Sequence, residues 1–173
     1  MFTLGNSSDA FLLVRAGELG VPAAFLPLLW CAFHIVKSGA NLLAGRVADN
    51  VGPRPVLLTG WVFYAVIYLA FALATNAWQV WAIFLAYGFV YSLTEPASKS
   101  LVTRLTAAGQ KGLAFGWFNF AIGVAALPAS LIFGWLYERY GSLIAFGWGA
   151  ALAAGAALLL LAVRTQRSGE MRP

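Results

Sequence analysis

Two hydrophobic runs, each long enough to cross a bilayer, flank one charged and turn-rich stretch near the first third of the chain. A crossing takes about 20 predominantly apolar residues in a helix. That pairing leaves few folds open. The stretch between them, Gly45-Arg46-Val47-Ala48-Asp49-Asn50-Val51-Gly52-Pro53-Arg54-Pro55, reads as a turn at the membrane surface. Gly52 permits a tight reversal. Pro53 and Pro55 suit the first turn of a new helix, where a missing N–H costs nothing. Gly45 lets a neighbouring helix come close, and Asp49 sets an anion beside Arg46 and Arg54. An ordinary polar turn in a membrane hairpin needs none of that charge, and the local sequence leaves both readings open.

Composition extends the argument to the whole chain. Hydrophobic residues make up 61% and charged ones 10%, and the mean hydropathy is +0.80. A soluble domain of 173 residues would need far more charge, so the class is an integral membrane protein. The single cysteine, Cys31, lies in an apolar run and excludes an intramolecular disulfide framework. The net charge of +5 is explained by loop arginines that orient a membrane chain, and no nucleic-acid partner is implied.

Taken in order, the sequence predicts helices over 1–18, 22–44, 56–74, 78–103, 110–137 and 143–163, then a polar cytoplasmic tail over 164–173. The first span is short, and the expectation is that its opening third lies upstream of Met1. Residues 1–18 are not a signal peptide, because no basic segment opens them and Asp9 sits in the middle. The expected fold is all-α, a polytopic membrane bundle of six transmembrane helices. With the Gly45–Pro55 turn inside, the cytoplasmic side collects seven basic residues: Arg46, Arg54, Arg104, Lys111, Arg164, Arg167 and Arg172. The outer side keeps two, Arg15 and Arg139. This positive-inside bias predicts a cytoplasmic C-terminus and, with the Ala/Gly/Arg-rich composition, a bacterial inner membrane. Trp78, Trp81, Trp135, Tyr137 and Tyr140 suit an outer aromatic belt or plain lipid-facing bulk.

An internal repeat sharpens the architecture. Gly45-x-x-x-Asp49-x-x-Gly52 recurs as Gly134-x-x-x-Glu138-x-x-Gly141, at the ends of the second and fifth spans. By the alternation of spans these turns lie on opposite sides of the membrane, which predicts two inverted three-helix repeats. Small residues four apart (Gly112 and Gly116; Ala121, Ala125 and Ala129; Gly147, Ala151 and Gly155) are expected to pack helices closely.

The first turn resembles the loop signature of the major facilitator superfamily, G-x-x-x-D-x-x-G-(R/K)-(R/K). Gly45, Asp49, Gly52 and Arg54 match, while Pro53 replaces the first basic residue. The run from Phe2 to Leu12 looks like the seventh helix of twelve-helix members, and Gly112-x-x-x-Gly116 through Pro128 and Gly134 looks like the eleventh. The resemblance implies the C-terminal half of a transporter, helices seven to twelve with the seventh clipped. It also implies an alternately opening central cavity, and a partner in an N-terminal six-helix half. In the family the loop acid latches the two halves in the outward-facing state, a role that falls to Asp49. Arg104 is the candidate partner for Asp49 within this half.

Ionisable side chains inside a bilayer are costly and mark functional sites by default. Asp9 stands mid-span among Asn6, Ser7 and Ser8, and Asn6 and Asp9 share a polar face. They fit a substrate or proton site, or a polar helix contact. His34, Lys37 and Asn41 share one face of the second span and suit a relay, although Lys37 also suits snorkelling to the surface. Glu95 and Lys99 form an i, i+4 pair with the acid first. Pro96 follows Glu95 directly and frees the carbonyl of Ser92, which suits gating or a static bend.

Enzyme chemistry finds no support. Cys31-x-x-His34 is too small a ligand set for zinc, no phosphate-cradling loop occurs, and no cofactor or metal is implied. The expected function is a secondary active transporter of a small solute, coupled to protons, in contact with the lipid bilayer. The alternatives are a non-transporting six-helix scaffold or truncated product, or a half-transporter that pairs with a second copy.

Overall fold

The computed structural model describes residues 2–6 and 9–162. Met1, Ser7, Ser8 and residues 163–173 lie outside the described residues, and with them the expected tail and its Arg164, Arg167 and Arg172. The described elements are helical: α1 (Phe2–Gly5), α2 (Ala10–Glu18), α3 (Leu26–Val51), α4 (Pro53–Leu73), α5 (Ala77–Leu105), α6 (Lys111–Tyr140) and α7 (Ser142–Ala162). Short 3₁₀ turns at Ala23–Phe25 and Ala108–Gln110 lead into α3 and α6. No strand occurs among the described residues. The helices α3 to α7 are long and apolar enough to cross a membrane.

The charged turn is far shorter than expected. Helix α3 continues through Gly45, Arg46 and Asp49 to Val51, because nothing before Gly52 breaks it. The reversal rests on Gly52 alone, at φ 90° and ψ 157°, and α4 starts on the next residue with Pro53. Gly141 does the same between α6 and α7, at φ 84° and ψ 174°. Asn76 caps α5 by accepting the Gln79 N–H (3.2 Å), and the Gln79 side chain accepts the Thr75 N–H in return (2.8 Å). Both α5 and α6 run on through an internal proline, Pro96 and Pro128.

The first expected span, 1–18, holds two short helices, α1 and α2. Asn6 and Asp9 lie between α1 and α2, and such polar residues compete for backbone hydrogen bonds and weaken a helix interior.

Helix α4 packs along both α5 and α7, α3 lies along α5, and α1 lodges against α6 and α7. Phe33, Tyr64, Tyr68, Phe71, Phe84, Tyr87, Phe133 and Phe146 are all buried at the centre. Their rings meet edge-on or stacked, as in Tyr64–Tyr68 (4.1 Å between centroids) and Phe133–Phe146 (5.1 Å). Lipid is as apolar as these side chains, so close packing holds the helices together. Each well-placed ring pair contributes about 0.5–1.5 kcal/mol. The outside is apolar too: Ile35, Leu42, Leu131 and Leu158 are each more than 60% exposed.

Close helix approach falls on other glycines than those expected. A Cβ at Gly149 would lie 2.7 Å from Tyr68 Cδ1 and 2.9 Å from the Gly5 carbonyl, and one at Gly60 would lie 2.6 Å from Thr94 Cγ2. Around Gly45, Gly112, Gly116 and Gly147 nothing lies within 4 Å. Those four stand at positions with no close neighbour among the described residues.

Candidate functional site

The break in the first span places a carboxylate among aromatic hydroxyls. Asp9 stands at the start of α2, but its side chain makes no capping bond. It accepts instead from the Tyr87 hydroxyl (3.0 Å) and from the Tyr91 hydroxyl at both oxygens (3.1 and 2.9 Å). Tyr87 and Tyr91 sit one turn apart on α5, and Tyr87 is wedged between the rings of Phe33 and Tyr64. The Tyr64 hydroxyl donates to the Gly5 carbonyl (3.0 Å) and lies 3.3 Å from Asn6 Oδ1. The rigid aromatic core thus holds both sides of the break.

A second cluster joins this one through Tyr91. Lys37 Nζ stands 4.4 Å from the centre of the Tyr91 ring and 3.1 Å from Glu95 Oε2. Lys99 Nζ takes the other oxygen, Glu95 Oε1, at 2.9 Å. The result is one chain from Asp9 through Tyr91 and Lys37 to Glu95 and Lys99. Its position depends on a tight crossing of α3 and α5. A Cβ at Gly88 would lie 3.2 Å from the Lys37 nitrogen, and the Ser92 hydroxyl sits 3.0 Å from both the Lys37 and Gly88 carbonyls. The cluster faces an open cavity of about 310 Å³ between α1, α5 and α6. Asn6, Tyr91, Thr94, Glu95, Ser98 and Lys99 line one side, and Phe118, Asn119 and Ile122 the other.

Of the residues singled out from sequence, Asn6, Glu95 and Lys99 line this cavity, and Asp9 and Lys37 stand behind it. His34 is not joined to Lys37: it is exposed, and its ring meets Trp30 and Phe33 edge-on. Asn41 has a buried Oδ1 with no hydrogen-bond partner. The expected relay along α3 is therefore absent as a bonded chain. Tyr64, Tyr87, Tyr91 and Ser92 escaped the sequence reading. Their signal was available, since Tyr87, Tyr91, Glu95 and Lys99 recur every four residues along one ridge of α5.

The loop motif lies apart from the cavity. Asp49 and Arg104 are both exposed, and the ion pair expected between them is not formed. Among the described residues the ion pairs are Arg15–Glu18, Lys37–Glu95 and Lys99–Glu95. The extension of α3 to Val51 carries Asp49 on an outward-facing position of the helix. Arg54 donates to the Leu160 carbonyl in the last turn of α7, where a cation is favoured. In the second copy of the motif, Gly134 lies under Phe11 (3.1 Å to a built Cβ), Glu138 is exposed and Gly141 ends α6.

The aromatic residues of the expected belt divide. Trp78, Trp135 and Tyr140 are exposed, but Trp81 packs on the core. The Tyr137 hydroxyl donates to Glu18 (2.6 Å), which pairs with Arg15 (3.2 Å), and Arg15 donates to the Ala74 carbonyl (2.9 Å). That network ties α2, α6 and the end of α4 together. No group of three or more His, Cys, Asp or Glu side chains is placed to hold a metal ion among the described residues.

The sequence profile of the Major Facilitator Superfamily matches residues 2–172. An MFS-type transporter of Methanocaldococcus jannaschii is 30% identical over 93% of this chain and 42% of its own length. The multidrug resistance protein MdtH of Cronobacter sakazakii is 28% identical over 78% of this chain and 33% of its own. MdtH of Klebsiella pneumoniae is 26% identical over the same shares, 78% and 33%. The chain therefore spans well under half the length of these curated relatives.

Proposed function

Because the chain belongs to the major facilitator superfamily, a family of transporters and not of enzymes, we propose that it forms part of a secondary transporter moving a small solute by alternating access, coupled to protons. It is a multi-pass membrane protein, and the proposal sets it in a cell inner membrane with a cytoplasmic C-terminus. The observation that carries the reading is the charged chain Asp9–Tyr91–Lys37–Glu95–Lys99, kept inside apolar spans beside an open cavity. Groups so placed are costly and persist where something must be bound or carried.

The proposal includes two inverted three-helix units, the α1–α2 pair with α3 and α4, then α5, α6 and α7. Adding 89 to a residue number supports it. That step carries Gly52 to Gly141, which share one backbone conformation, and α4 onto α7, Pro53–Leu73 onto Ser142–Ala162. It also takes Gly60 to Gly149 and Gly5 to Thr94, so that the Gly60–Thr94 contact has its counterpart, with the units exchanged, in Gly149–Gly5. The uncovered faces of α3 and α6 would meet an N-terminal six-helix half or a second copy, with Gly45 and Asp49 taking part in switching between states. The test is transport by the intact protein in proteoliposomes, against a solute panel, with and without a proton gradient. Asp9→Asn is expected to abolish transport or uncouple it from the gradient. Unchanged transport by that variant rejects the assignment.

A further inference from the structure

Glu95 is shared by two ammonium groups, and one of them, Lys99, stands with it at the wall of the open cavity. Both carboxylate oxygens are engaged, Oε1 by Lys99 at 2.9 Å and Oε2 by Lys37 at 3.1 Å. Each ammonium carries three N–H donors, and Glu95 uses one of each. The Lys99 side chain is 56% exposed toward the cavity. Asn6, just after α1, and Asn119 on α6 add side-chain amides. The Tyr91 hydroxyl is committed to Asp9, and the Ser98 hydroxyl to the Thr94 carbonyl. Among the described residues the one cation that lines the cavity is Lys99, and its ammonium has N–H donors beyond the one given to Glu95.

Charge balance adds a condition. The groups around Glu95 are Lys37 on α3, Lys99 on its own helix, and Asp9 behind Tyr91 at the start of α2. His34 lies one turn from Lys37 on α3, and α6 faces the cavity with Phe118, Asn119 and Ile122, none of them charged. Two carboxylates and two lysines sum to zero. A bound anion therefore leaves one excess negative charge within the spans unless a proton enters with it, and uncompensated charge there is costly.

We propose, resting on the transporter reading above, that the cavity binds a small organic carboxylate on Lys99, and that Glu95, still backed by Lys37, takes up one proton as the solute enters. The proton comes from water on the side to which the cavity is open and adds to a Glu95 oxygen. The solute carboxylate takes over the Lys99 ammonium that Glu95 gives up, and no covalent bond of the solute breaks. The volume of 310 Å³ stands at the small end of ligand sites, which run from about 300 to 1,000 Å³. Phe118 and Ile122 offer contact to an apolar or ring-shaped body.

Benzoate, benzamide and benzylamine share one ring and nearly one shape but carry a negative, no and a positive charge. Binding of each to the purified intact protein in lipid nanodiscs is measured by calorimetry in buffers of different ionisation enthalpy, which counts protons. Benzoate is expected to bind with uptake of about one proton, by linkage between the two sites. Benzamide and benzylamine are expected to bind at least about tenfold more weakly. Lys99→Gln should weaken benzoate by a similar factor and Lys99→Arg should keep it, which separates lost charge from misfolding. Glu95→Gln should bind benzoate with no proton uptake. Preference for benzylamine, no binding of benzoate, benzoate binding unchanged in Lys99→Gln, or proton uptake retained in Glu95→Gln each overturns the proposal. Benzoate binding with proton uptake in a protein that moves no solute leaves this site standing and removes the transport reading. Proton-driven transport of some solute without benzoate binding does the reverse.

Discussion

Removing the Tyr91 hydroxyl tests whether Asp9 is held as a charge or only packed as a polar group. Tyr91→Phe deletes the donor that reaches both Asp9 oxygens, at 2.9 and 3.1 Å, and leaves Tyr87 at 3.0 Å as the remaining hydroxyl donor. The ring stays, so the Lys37 contact at 4.4 Å and the packing on Tyr87 are kept. A hydrogen bond to a charged acceptor contributes about 1.5–3 kcal/mol, and a neutral one about 0.5–1.5 kcal/mol. Tyr91→Phe is therefore expected to cost about 1.5–3 kcal/mol in the parent and about 1 kcal/mol on an Asp9→Asn background. The double-mutant cycle should give a coupling of about 1–2 kcal/mol, above the ~0.3–0.5 kcal/mol within which independent sites add. Reversible unfolding of the purified protein in mixed micelles, followed by the near-ultraviolet signal of the aromatic core, supplies the four free energies. Equal cost of Tyr91→Phe in both backgrounds would refute the picture of an ionised carboxylate held by the two tyrosines.

Gly149→Val forces a side chain against Tyr68 and the Gly5 carbonyl, at 2.7 and 2.9 Å from its Cβ, and should cost about 1–3 kcal/mol in the same unfolding assay. Gly147→Ala, with nothing within 4 Å, should be neutral or stabilise the helix by up to about 1 kcal/mol. Gly52→Ala puts a Cβ on a residue at φ 90° and should lose about 1–2 kcal/mol, read as a lower melting temperature. Asp49→Asn, at an exposed position without an ion pair among the described residues, should leave stability within about 0.5 kcal/mol. It should nonetheless change the labelling of single cysteines placed at the two cavity mouths, and unchanged labelling would remove Asp49 from the switch.

The spans were legible because their signal is one of length. A run of apolar residues closed by Gly52-Pro53 or Gly141-Ser142 has few ways to fold in lipid. The break after Gly5 was not legible, since a polar run inside a short span also fits a continuous helix with a polar face. Gly45 misled for a related reason. Glycine in a sequence marks permission for a close approach, but the partner surface decides whether it is used, and here Gly60, Gly88 and Gly149 have partners while Gly45 has none within 4 Å. The acids and lysines of the site could be singled out from the cost of charge in lipid. Which of them touch could not, because Lys37 and Glu95 are brought together by the Gly88 and Ser92 crossing, a contact between two helices.

On the two-unit reading the cavity has an origin in the repeat itself. The step of 89 carries Asn6 to Glu95 and Asp9 to Ser98, and of these four Asn6, Glu95 and Ser98 line the cavity. Each unit would thus present the same stretch of its opening element to the same space, but the two have diverged in how they disturb the backbone there. In the first the helix is broken between Gly5 and Ala10, and Asp9 turns to Tyr87 and Tyr91. In the second α5 stays helical through Pro96, and Glu95 reaches the two lysines instead. On that reading the two units would differ in role: one acid sits behind the tyrosines and the other stands at the wall. Glu95 is the acid that can exchange partners with a solute, because it and its partner Lys99 both border the open space, whereas Asp9 does not.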